Sequence, residues 1–536
     1  MQQDRAADIL ARRLYEAGCR HAFGMPGGEV LTLLDALERA GIAFHLIKHE
    51  NAGGFLAEGA HHMDGAPPIL VSTVGPGLMN AVNVVANAEQ DRVPLIVLSG
   101  CIDADEALTY THQVLDHRAV LAPITKATFT LTAEGADTIA DKALAIATDP
   151  REGPVLIDVP ISVADATAVS GTRRRIPPAP VVPSGEVLER MRAYLAAAER
   201  PVMIVGLDVL KDGAAGDVQS FAEAFSIPVI TTYKAKGVLD EAHPLALGGA
   251  GLSPLADRHL VPFVSGADLI LCVGYDPIEM RTGWREIWDP AQQAVIDIHA
   301  APNTHYMHQA TLSVIGHTGA ALKAMAAGIA PRVTWPGGEI PALKAALARA
   351  FPEDEAWGPG AVIAEARRVL PPETVATVDS GAHRILLSQM WRCPAPKTLL
   401  QSTGLCTMGC ALPLAMGASL AASDRPVVAF TGDGGFLMVA GELATAAELG
   451  LKPIVIVFAD ASLALIELKQ RQRQLKNAGV DFAHHDFAAL GRAFGGAGET
   501  VRNRDELRAA LARALEAETF TVIAAEIEGQ GYDGRI

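Results

Sequence analysis

The chain has 536 residues, half of them hydrophobic and 20% charged, with a formal net charge of −17. This length is too great for one hydrophobic core and indicates about three domains. The acidic balance, without a long Lys/Arg run, argues against nucleic acid and anionic membrane surfaces as partners, while a small anionic ligand stays open. No segment approaches the ~18 to 20 uninterrupted apolar residues of a membrane span.

The N-terminal segment MQQDRAADILARRLYEAG predicts an amphipathic helix. It lacks the apolar stretch and the small-residue cleavage site of a signal peptide. Six cysteines are scattered at positions 19, 101, 272, 393, 406 and 410, without a CxxC motif or a completed Cys/His cluster. We therefore expect six reduced, mostly buried thiols in a cytoplasmic protein.

Apolar, strand-like segments alternate with Ala/Leu-rich helical segments along the chain. Strands without polar alternation, spaced by helices, are typical of parallel sheets that are covered on both faces. The predicted strands include 68–72 (PILVS), 94–99 (PLIVLS), 154–159 (PVLIDV), 201–205 (PVMIV), 269–273 (LILCV), 294–298 (AVIDI), 375–378 (VATV), 426–430 (PVVAF) and 453–458 (PIVIVF). The pattern predicts an α/β fold of doubly wound parallel sheets.

Two proline-rich breaks divide the chain. Residues 170–183 (SGTRRRIPPAPVVP) contain four prolines, and residues 331–341 (PRVTWPGGEIP) contain three prolines and two glycines. Both are typical of linkers, and we interpret the basic cluster Arg173-Arg174-Arg175 as a solvated part of the first. The breaks predict three domains, over residues 1–170, 184–330 and 345–536.

A glycine-rich turn that carries an aspartate, Gly432-Asp433-Gly434-Gly435, follows the predicted strand 426–430. Glycines let a ligand approach the backbone, and the long helix predicted after Phe436 would offer its N-terminus to a phosphate. Asp433 would repel that phosphate unless a cation lay between them. The turn therefore suggests a divalent metal.

A second aspartate, Asp460, lies 27 residues after Asp433, just beyond the strand 453–458. If the two strands are neighbours, their ends lie side by side. Asp433, Asp460 and a backbone carbonyl near Ser462 would then complete an all-oxygen Mg²⁺ site with phosphate and water. The alternative is a plain Rossmann-like turn with two unrelated, solvent-facing aspartates.

Six segments resemble motifs of the thiamine-diphosphate-dependent enzymes, in the family's order and over nearly the whole chain. They are 23–28 (FGMPGG), 49–52 (HENA), 75–81 (GPGLMNA), 379–383 (DSGAH), 404–413 (GLCTMGCALP) and 432–434 (GDG) with its downstream aspartate. The family usually has two asparagines where this chain has Ala459 and Asp460, and aspartate is a sound substitute. The resemblance implies pyrimidine-binding, central Rossmann-like and diphosphate-binding domains, with thiamine diphosphate and Mg²⁺ as cofactors.

The resemblance also implies roles for individual residues. Glu50 would handle the proton of the aminopyrimidine, Met408 would bend the cofactor from below, and the carbonyl of Cys406 would accept from its 4′ amine. A capping or ion-paired glutamate and an ordinary core methionine are the structural alternatives. The remaining implied positions are Gly27, Pro76, Gly381, His383, Gly432, Gly434 and Gly435 for the cofactor, and Asp433, Asp460 and Ser462 for the metal. Because the family's glutamate and metal site meet across two subunits, a homodimer or homotetramer is implied.

Within the family, the chain resembles the fermentative acetolactate synthases in segments 111–116 (THQVLD), 123–126 (PITK) and 463–496. By this resemblance Gln113 would orient the acceptor carbonyl, although a loop amide bonded to backbone is an equal alternative. Lys469 stands where the biosynthetic synthase has a tryptophan, and residues 274–281 replace its flavin-contacting arginine motif. These departures disfavour FAD, which is kept as a weaker candidate.

The segment Tyr233-Lys234-Ala235-Lys236-Gly237 also departs from the pattern of a pyruvate-specific enzyme. Lys234 or Lys236 could bind an acidic substrate, but the favoured interpretation is a pair of solvated loop lysines.

The leading hypothesis is a carboligase that decarboxylates a 2-oxo acid such as pyruvate and joins the product to a second 2-oxo acid. The first alternative is a decarboxylase or C–C lyase acting on another 2-oxo acid, a 2-hydroxyacyl-CoA or a cyclic dione. A nucleotide-binding dehydrogenase is a second alternative, but no convincing GxGxxG follows a strand. A catalytically silent subunit is a third, and the presence of Glu50 argues against it.

Overall fold

A computed structural model describes residues 4–171, 174 and 176–536, so Arg173 and Arg175 of the predicted linker lie outside the described residues. The described chain forms three α/β domains, each built on a parallel sheet of six strands. Within the described residues, no helix combines the length and the apolar character needed to cross a membrane. All six cysteines are described and unpaired, and four of them are buried.

The N-terminal domain begins with the predicted amphipathic helix. Its elements are, in chain order, β1 (Asp4–Arg5), α1 (Ala6–Glu16), β2 (His21–Gly24), α2 (Leu31–Ala40), β3 (Ala43–Leu46), α3 (Glu50–Asp64), β4 (Ile69–Ser72), α4 (Pro76–Gln90), β5 (Ile96–Cys101), α5 (His117–Leu121), β6 (Ala127–Thr130), α6 (Ala136–Thr148), β7 (Val155–Pro160), α7 (Ile161–Asp165) and β8 (Thr167–Ala168). The parallel sheet has the order β3-β2-β4-β5-β7-β6, and β1 pairs with β8 as a separate antiparallel pair.

The central domain has a different strand order. Its elements are α8 (Gly185–Ala197), β9 (Pro201–Val205), α9 (Leu207–Lys211), α10 (Ala215–Phe225), β10 (Val229–Thr231), β11 (Ala246–Gly249), α11 (Pro254–Ser265), β12 (Leu269–Val273), β13 (Ala294–His299), β14 (Leu312–Ile315) and α12 (Thr318–Ala326). The sheet order is β11-β10-β9-β12-β13-β14, so the chain moves outward in one direction from β9 and then reverses at β12.

The C-terminal domain repeats the strand order of the N-terminal one. Its elements are α13 (Glu339–Ala350), α14 (Pro359–Val369), β15 (Val375–Val378), α15 (Ala382–Met390), β16 (Leu399–Gln401), α16 (Ala411–Ala421), β17 (Val427–Gly432), α17 (Asp433–Val439), α18 (Glu442–Glu448), β18 (Ile454–Ala459), α19 (Ala464–Gln472), α20 (Phe487–Ala493), β19 (Ala497–Val501), α21 (Arg504–Leu515) and β20 (Thr521–Glu526). The sheet order is β16-β15-β17-β18-β20-β19. Short 3-10 helices lie at Gly28–Val30, Glu106–Leu108, Ala122–Ile124, Pro277–Glu279 and Thr282–Trp284.

All nine predicted strands are present, with ends that differ by at most two residues. The long helix predicted after Phe436 is wrong in one respect, because α17 ends at Val439 and α18 begins only at Glu442. The strands that the apolar pattern missed include the shorter or more polar β3, β6 and β19, whose residues are mostly partly exposed.

The second predicted linker is folded against the central domain. Trp335 is buried, stacks on Phe263 with ring centroids 4.1 Å apart, and donates from Nε1 to the carbonyl of Pro201 at 2.7 Å. The Thr334 hydroxyl donates to the carbonyl of Phe225 at 3.1 Å. Proline and glycine content alone therefore did not reveal that this segment is anchored.

The C-terminal domain shares its core with both other domains. One cluster of buried side chains joins it to the central domain, and a second cluster joins it to the N-terminal domain. At the second junction α3 packs against α16 with almost no side chain between them, since a Cβ on Gly417 would overlap the carbonyl of Leu56. This close packing of backbones fixes the position of α3, which begins at Glu50.

Candidate active site

The predicted diphosphate and metal residues follow strands at the switch point of the C-terminal sheet. The sheet changes direction between β15 and β17, and ligands of open α/β sheets bind in the crevice at such a point. Gly381 and His383 follow β15, while the glycine-rich turn overlaps the end of β17. The strand β18 is parallel to β17 with Gly432 opposite Phe458, so the predicted neighbourhood of the two strands is confirmed.

The carboxylates of Asp433 and Asp460 belong to one local network. The side chain of Asp433 is 3% exposed and accepts from the backbone N–H of Asp460 at 3.1 Å, of Ala461 at 2.7 Å and of Gly434 at 2.8 Å. Burial raises the pKa of Asp433, and burial together with Asp433 raises the pKa of Asp460 to about 8. A dication between the two would offset both the burial and the mutual repulsion.

The predicted third metal position lies beside these carboxylates. The backbone N–H of Ser462 donates to Asp460 at 3.1 Å, and its hydroxyl donates to Asp481 at 2.8 Å. Among the described residues, no group of three or more His, Cys, Asp or Glu side chains is arranged to hold a metal ion. A metal at Asp433 and Asp460 would therefore need further oxygen ligands, such as the Ser462 carbonyl, phosphate and water.

A cavity of about 140 Å³ lies directly over these groups. Nine of the predicted residues line it, namely Gly381, His383, Met408, Gly432, Asp433, Gly434, Gly435, Asp460 and Ser462. Cys406 is not among the lining residues. Its thiol donates to the carbonyl of Thr403 at 3.0 Å and accepts from Arg384 at 3.1 Å. The role predicted for Cys406 concerns its carbonyl and stays a prediction.

Asp379 holds the walls of this cavity together, and the sequence motif had given it no separate role. One of its carboxylate oxygens pairs with Nε2 of His383 at 2.7 Å. The other accepts from the N–H of Gly409 at 2.7 Å and from the hydroxyl of Thr431 at 3.1 Å. A Cβ on Gly435 would overlap this carboxylate, so only glycine fits at position 435.

The walls of the cavity also lie close to the other two glycines of the turn. A Cβ on Gly434 would lie 3.0 Å from Leu463 and 3.6 Å from the terminal methyl of Met408, and one on Gly432 would lie 3.1 Å from His383. The site thus combines a small-residue cradle with two carboxylates that favour a cation. These features fit a metal-bound diphosphate.

The other four predicted residues meet at the switch point of the N-terminal sheet, between β2 and β4. Gly27 follows β2, and a Cβ there would overlap the hydroxyl of Thr73, which follows β4. Pro76 begins α4 in the same turn. The turn formed by residues 73–77 therefore gathers the predicted residues of this domain.

Glu50 lies against this turn at the start of α3. It is 3% exposed, and its Oε2 accepts from Nδ2 of Asn80 at 3.0 Å. The other oxygen faces the turn, since a Cβ on Gly77 would lie 3.1 Å from Oε1. Asn80 belongs to the GPGLMNA motif, but the sequence did not indicate that it orients the glutamate.

Gln113 reaches the same turn from the segment that follows β5. Gln113 is exposed and has a positive φ of 58°. A Cβ on Gly75 would lie 3.3 Å from the Cβ of Gln113. The buried His117 holds the turn from behind, since its Nε2 accepts from the N–H of Gly75 at 3.2 Å. The Nδ1 of His117 is 3.0 Å from Asp158, which fixes the donor on that side.

The two halves of the predicted site are separate within one chain. Every residue that lines the cavity over Asp433 lies between positions 380 and 532, and neither Glu50 nor Gln113 is among them. Tyr532, near the C-terminus, is a buried lining residue that no motif had indicated.

The crevice of the central sheet is acidic where β9 and β12 end. Asp208 is partly buried and accepts from the N–H of Ala300 at 2.9 Å, and burial and the nearby Asp276 raise its pKa. Burial likewise raises the pKa of Asp297 on β13. Lys211 and Arg92, which lies 3.2 Å from Asp276, are in the same region, so the three carboxylates are partly balanced by cations.

Three family models match the chain, one for each domain. They describe the N-terminal thiamine pyrophosphate binding domain over residues 4–120, the central domain over residues 188–325 and the C-terminal thiamine pyrophosphate binding domain over residues 379–525 of thiamine pyrophosphate enzymes. Their order is the one that the sequence motifs predicted.

Individual relatives are similar over most of their length. The chain is 28% identical to the acetolactate synthase of Bacillus subtilis, over 97% of this chain and 93% of the relative. It is 32% identical to the large subunit of acetolactate synthase isozyme 1 of Escherichia coli, over 87% and 83%. It is also 30% identical to a probable 2-ketoarginine decarboxylase of Pseudomonas aeruginosa, over 97% and 93%. The chain belongs to the thiamine pyrophosphate enzymes and is an acetolactate synthase-like member of that family.

Proposed function

We propose that this enzyme is a Mg²⁺- and thiamine-diphosphate-dependent carboligase of the fermentative type, which decarboxylates pyruvate and joins the two-carbon product to a second 2-oxo acid. The observation that carries the proposal is the gathering of Glu50, Gln113 and the 73–77 turn at one switch point. A plain decarboxylase needs the proton-handling glutamate, but a carboligase also needs a group that positions an acceptor carbonyl.

The C-terminal residues would hold the cofactor by its phosphates. Asp433, Asp460 and the Ser462 carbonyl would bind Mg²⁺, and the glycine turn would admit the diphosphate to the backbone. When bound, thiamine diphosphate supplies a thiazolium carbon that adds to a keto carbonyl and accepts the electrons released with CO₂. Met408, on the cavity wall, would support the cofactor from below.

The N-terminal residues would handle the proton and the acceptor. Because Asn80 occupies Oε2 of Glu50, Oε1 is the oxygen available to hold and return a proton at the aminopyrimidine. Gln113 would donate from its amide to the acceptor carbonyl and align it for C–C bond formation. The backbone of the 73–77 turn keeps these two side chains at one edge of the sheet.

A homodimer or homotetramer is the proposed working state, with each site built from two chains. The separation of Glu50 from the Asp433 cavity within one chain supports this. Mixing Glu50→Gln and Asp433→Asn chains after co-denaturation tests it, at a cofactor concentration too low for either variant alone to be active. Random hybrids would regain about a quarter of the wild-type activity, because half of the dimers carry one intact site. A mixture as inactive as its components would contradict a shared site.

Product analysis tests the reaction itself. The purified protein is incubated with thiamine diphosphate, Mg²⁺ and a panel of 2-oxo acids, and CO₂ and products are followed. We expect acetolactate and CO₂ from pyruvate, without added FAD. Acetaldehyde in place of acetolactate, or no turnover of pyruvate, would contradict the proposal.

A second candidate is a decarboxylase of a larger 2-oxo acid. The similarity to a probable 2-ketoarginine decarboxylase over 97% of the chain favours it. The same panel separates the two, because this candidate would release an aldehyde from 2-ketoarginine and leave pyruvate unchanged. A cytoplasmic location stays a proposal, supported by the six unpaired cysteines.

A further inference from the structure

A second cavity, of about 210 Å³, lies where the three domains meet. Its lining comes from the end of α3, the residues after α4, the loop before β7, helix α9, the loop after β10 and strand β16 with the residues before it. The lining residues are His61, His62, Gly65, Asp91, Arg92, Glu152, Leu207, Leu210, Lys211, Lys234, Lys397, Leu399, Leu400 and Gln401. Helix α3 has 15 residues and is therefore about 22 Å long, so Glu50 lies at its opposite end.

The lining carries more basic than acidic side chains. Four cations stand against two carboxylates, namely Arg92, Lys211, Lys234 and Lys397 against Asp91 and Glu152. Burial raises the pKa of the adjacent Glu58 to about 8, against the effect of Lys234, whose ammonium lies 3.8 Å away. The lining residues by themselves therefore carry more positive than negative charge.

Three of the four cations have carboxylate partners. Lys234 lies 3.1 Å from Asp91, Arg92 lies 3.2 Å from Asp276, and Lys211 pairs with Glu152. The prediction that Lys234 and Lys236 are solvated is therefore wrong. The side chain of Lys234 is 10% exposed, and Lys236 is buried against Glu241. Their burial and pairing make both lysines parts of the folded core.

Lys397 is the cation left over. It is half-buried, and it has neither an ion pair nor a hydrogen bond within the part of the chain that the structure describes. Burial lowers the pKa of Lys397, and the carboxylates of Glu152 and Asp64, neither of which forms an ion pair with it, act in the opposite direction.

Gln401 provides a second, independent sign of a missing ligand. Its side chain is buried, and its Oε1 accepts from Arg384 at 2.8 Å and from Ser388 at 3.3 Å. These bonds fix the amide, yet Nε2 has no partner among the described residues. An unpaired buried amide donor destabilises the fold, so a bound acceptor would stabilise it.

The remaining walls indicate the class of ligand. Four leucines line the same space, at positions 207, 210, 399 and 400. The volume equals that of about seven liquid waters, enough for an acid with a short carbon chain. Apolar walls beside a lysine that forms no ion pair suit an organic carboxylate better than an inorganic phosphate, which would leave the leucines without contacts.

We propose that this three-domain cavity binds a small carboxylate anion of three or four carbons, with Lys397 as its main charged partner and Gln401 as a donor. Asp91 ties the cavity to the predicted cofactor segment, because it accepts from the N–H groups of Thr403 and Gly404 at 3.1 and 2.8 Å. Occupancy would therefore brace the junction between the domains that hold the two halves of the active site.

Calorimetric titration of the full chain with malonate tests the proposal, alone and with thiamine diphosphate and Mg²⁺ present. Lys397→Gln and Lys397→Glu should weaken malonate binding at least tenfold under both conditions. The charge-reversed variant, Lys397→Glu, should bind malonate more weakly than Lys397→Gln. Glutamine keeps an unbranched side chain at a position whose φ is 59°, so the backbone should be unaffected. Lys476→Gln is the matched control, because Lys476 is an exposed lysine.

Three results would overturn the proposal. They are no malonate binding to the wild type, equal binding to Lys397→Gln, and binding of inorganic phosphate without binding of malonate. Urea unfolding of each variant shows that the protein is folded. Because the readout is binding with and without the cofactor, its failure is distinct from failure of the proposed carboligase activity.

Discussion

The N-terminal and C-terminal sheets have the same topology and opposite chemistry. If the strands of each are lettered a to f in chain order, both sheets read b-a-c-d-f-e, and both place predicted site residues at the switch between a and c. At the C-terminal switch stand Asp379, Asp433 and Asp460, a set that favours a cation. At the N-terminal switch the buried carboxylate of Glu50 faces a glycine turn and the amide of Asn80. Topology therefore fixes where a ligand binds, and the few residues after the strands fix what it is.

The central sheet sharpens this comparison because its order differs, reading c-b-a-d-e-f. This is the order of dinucleotide-binding domains, with the expected crevice between β9 and β12. Its acidic residues Asp208 and Asp276 lie beside the cations Lys211 and Arg92. A nucleotide-type topology is thus present with charges of both signs at its crevice.

Substitution of Glu50 should have the largest effect on activity. Glu50→Gln keeps the shape and the contact with Asn80 but removes the proton-handling group, so we expect a loss in kcat of roughly 10²- to 10⁴-fold. Cofactor affinity should change little, because the phosphates and metal are held by the other sheet. Steady-state rates and calorimetric titration with thiamine diphosphate measure the two quantities separately.

Glu58→Gln is the matched control for this experiment. Glu58 lies on the same helix, eight residues further on, and pairs with Asn87 rather than with the 73–77 turn. It should keep wild-type kcat. Equal activity of Glu50→Gln and the wild type would remove Glu50 from the mechanism.

Substitution at the C-terminal switch should produce the opposite pattern. Asp433→Asn removes one of the two negative charges that favour the metal, so Mg²⁺-dependent cofactor affinity should fall roughly 10- to 100-fold. Saturating cofactor should restore part of kcat. Asp481→Asn serves as control, since Asp481 accepts from Ser462 but is exposed and outside the cavity. A lower kcat at unchanged cofactor affinity would contradict the proposal that the C-terminal switch point binds the cofactor while the N-terminal one handles the proton.

Local sequence was sufficient for much of this arrangement. Asp433 and Asp460 could be predicted as neighbours because consecutive parallel strands joined by one crossover often lie side by side, and each aspartate follows its strand directly. The motif order likewise indicated three domains.

Other features depend on distant packing that no spacing reveals. Asp379 contacts segments 30 and 52 residues away, and Tyr532 enters the cavity from the C-terminus. The burial of Lys234 depends on Asp91, which belongs to another domain. Such pairings arise only when domains dock, so the sequence favoured solvated lysines and the prediction was wrong.

Loosening the N-terminal turn should give a smaller effect on activity. His117→Phe removes the acceptor for Gly75 N–H and leaves Asp158 without its imidazole partner, so we expect a roughly tenfold lower kcat and about 1–3 kcal/mol less stability. His112→Phe, at an exposed position of the same segment, should leave both unchanged. Rates and urea unfolding measured on the same preparations check this, and an unchanged kcat would show that the turn is held without His117.

The last expected effect leaves activity unchanged, concerns stability alone and links the comparison to the domain junction. Burial raises the pKa of Glu58 to about 8, above its ordinary value of 4.5. A carboxyl whose folded-state pKa is raised favours the folded state below the unfolded pKa, and this contribution is lost as the pH rises toward 8. Glu58→Gln does not titrate, so its stability relative to the wild type should increase between pH 5 and pH 8, by up to about 1 kcal/mol per pH unit.

Urea unfolding across this range measures the difference, with Glu516→Gln as an exposed control. A difference independent of pH would show that Lys234 keeps Glu58 ionised, and the cavity at the junction would then carry less positive charge than its lining indicates.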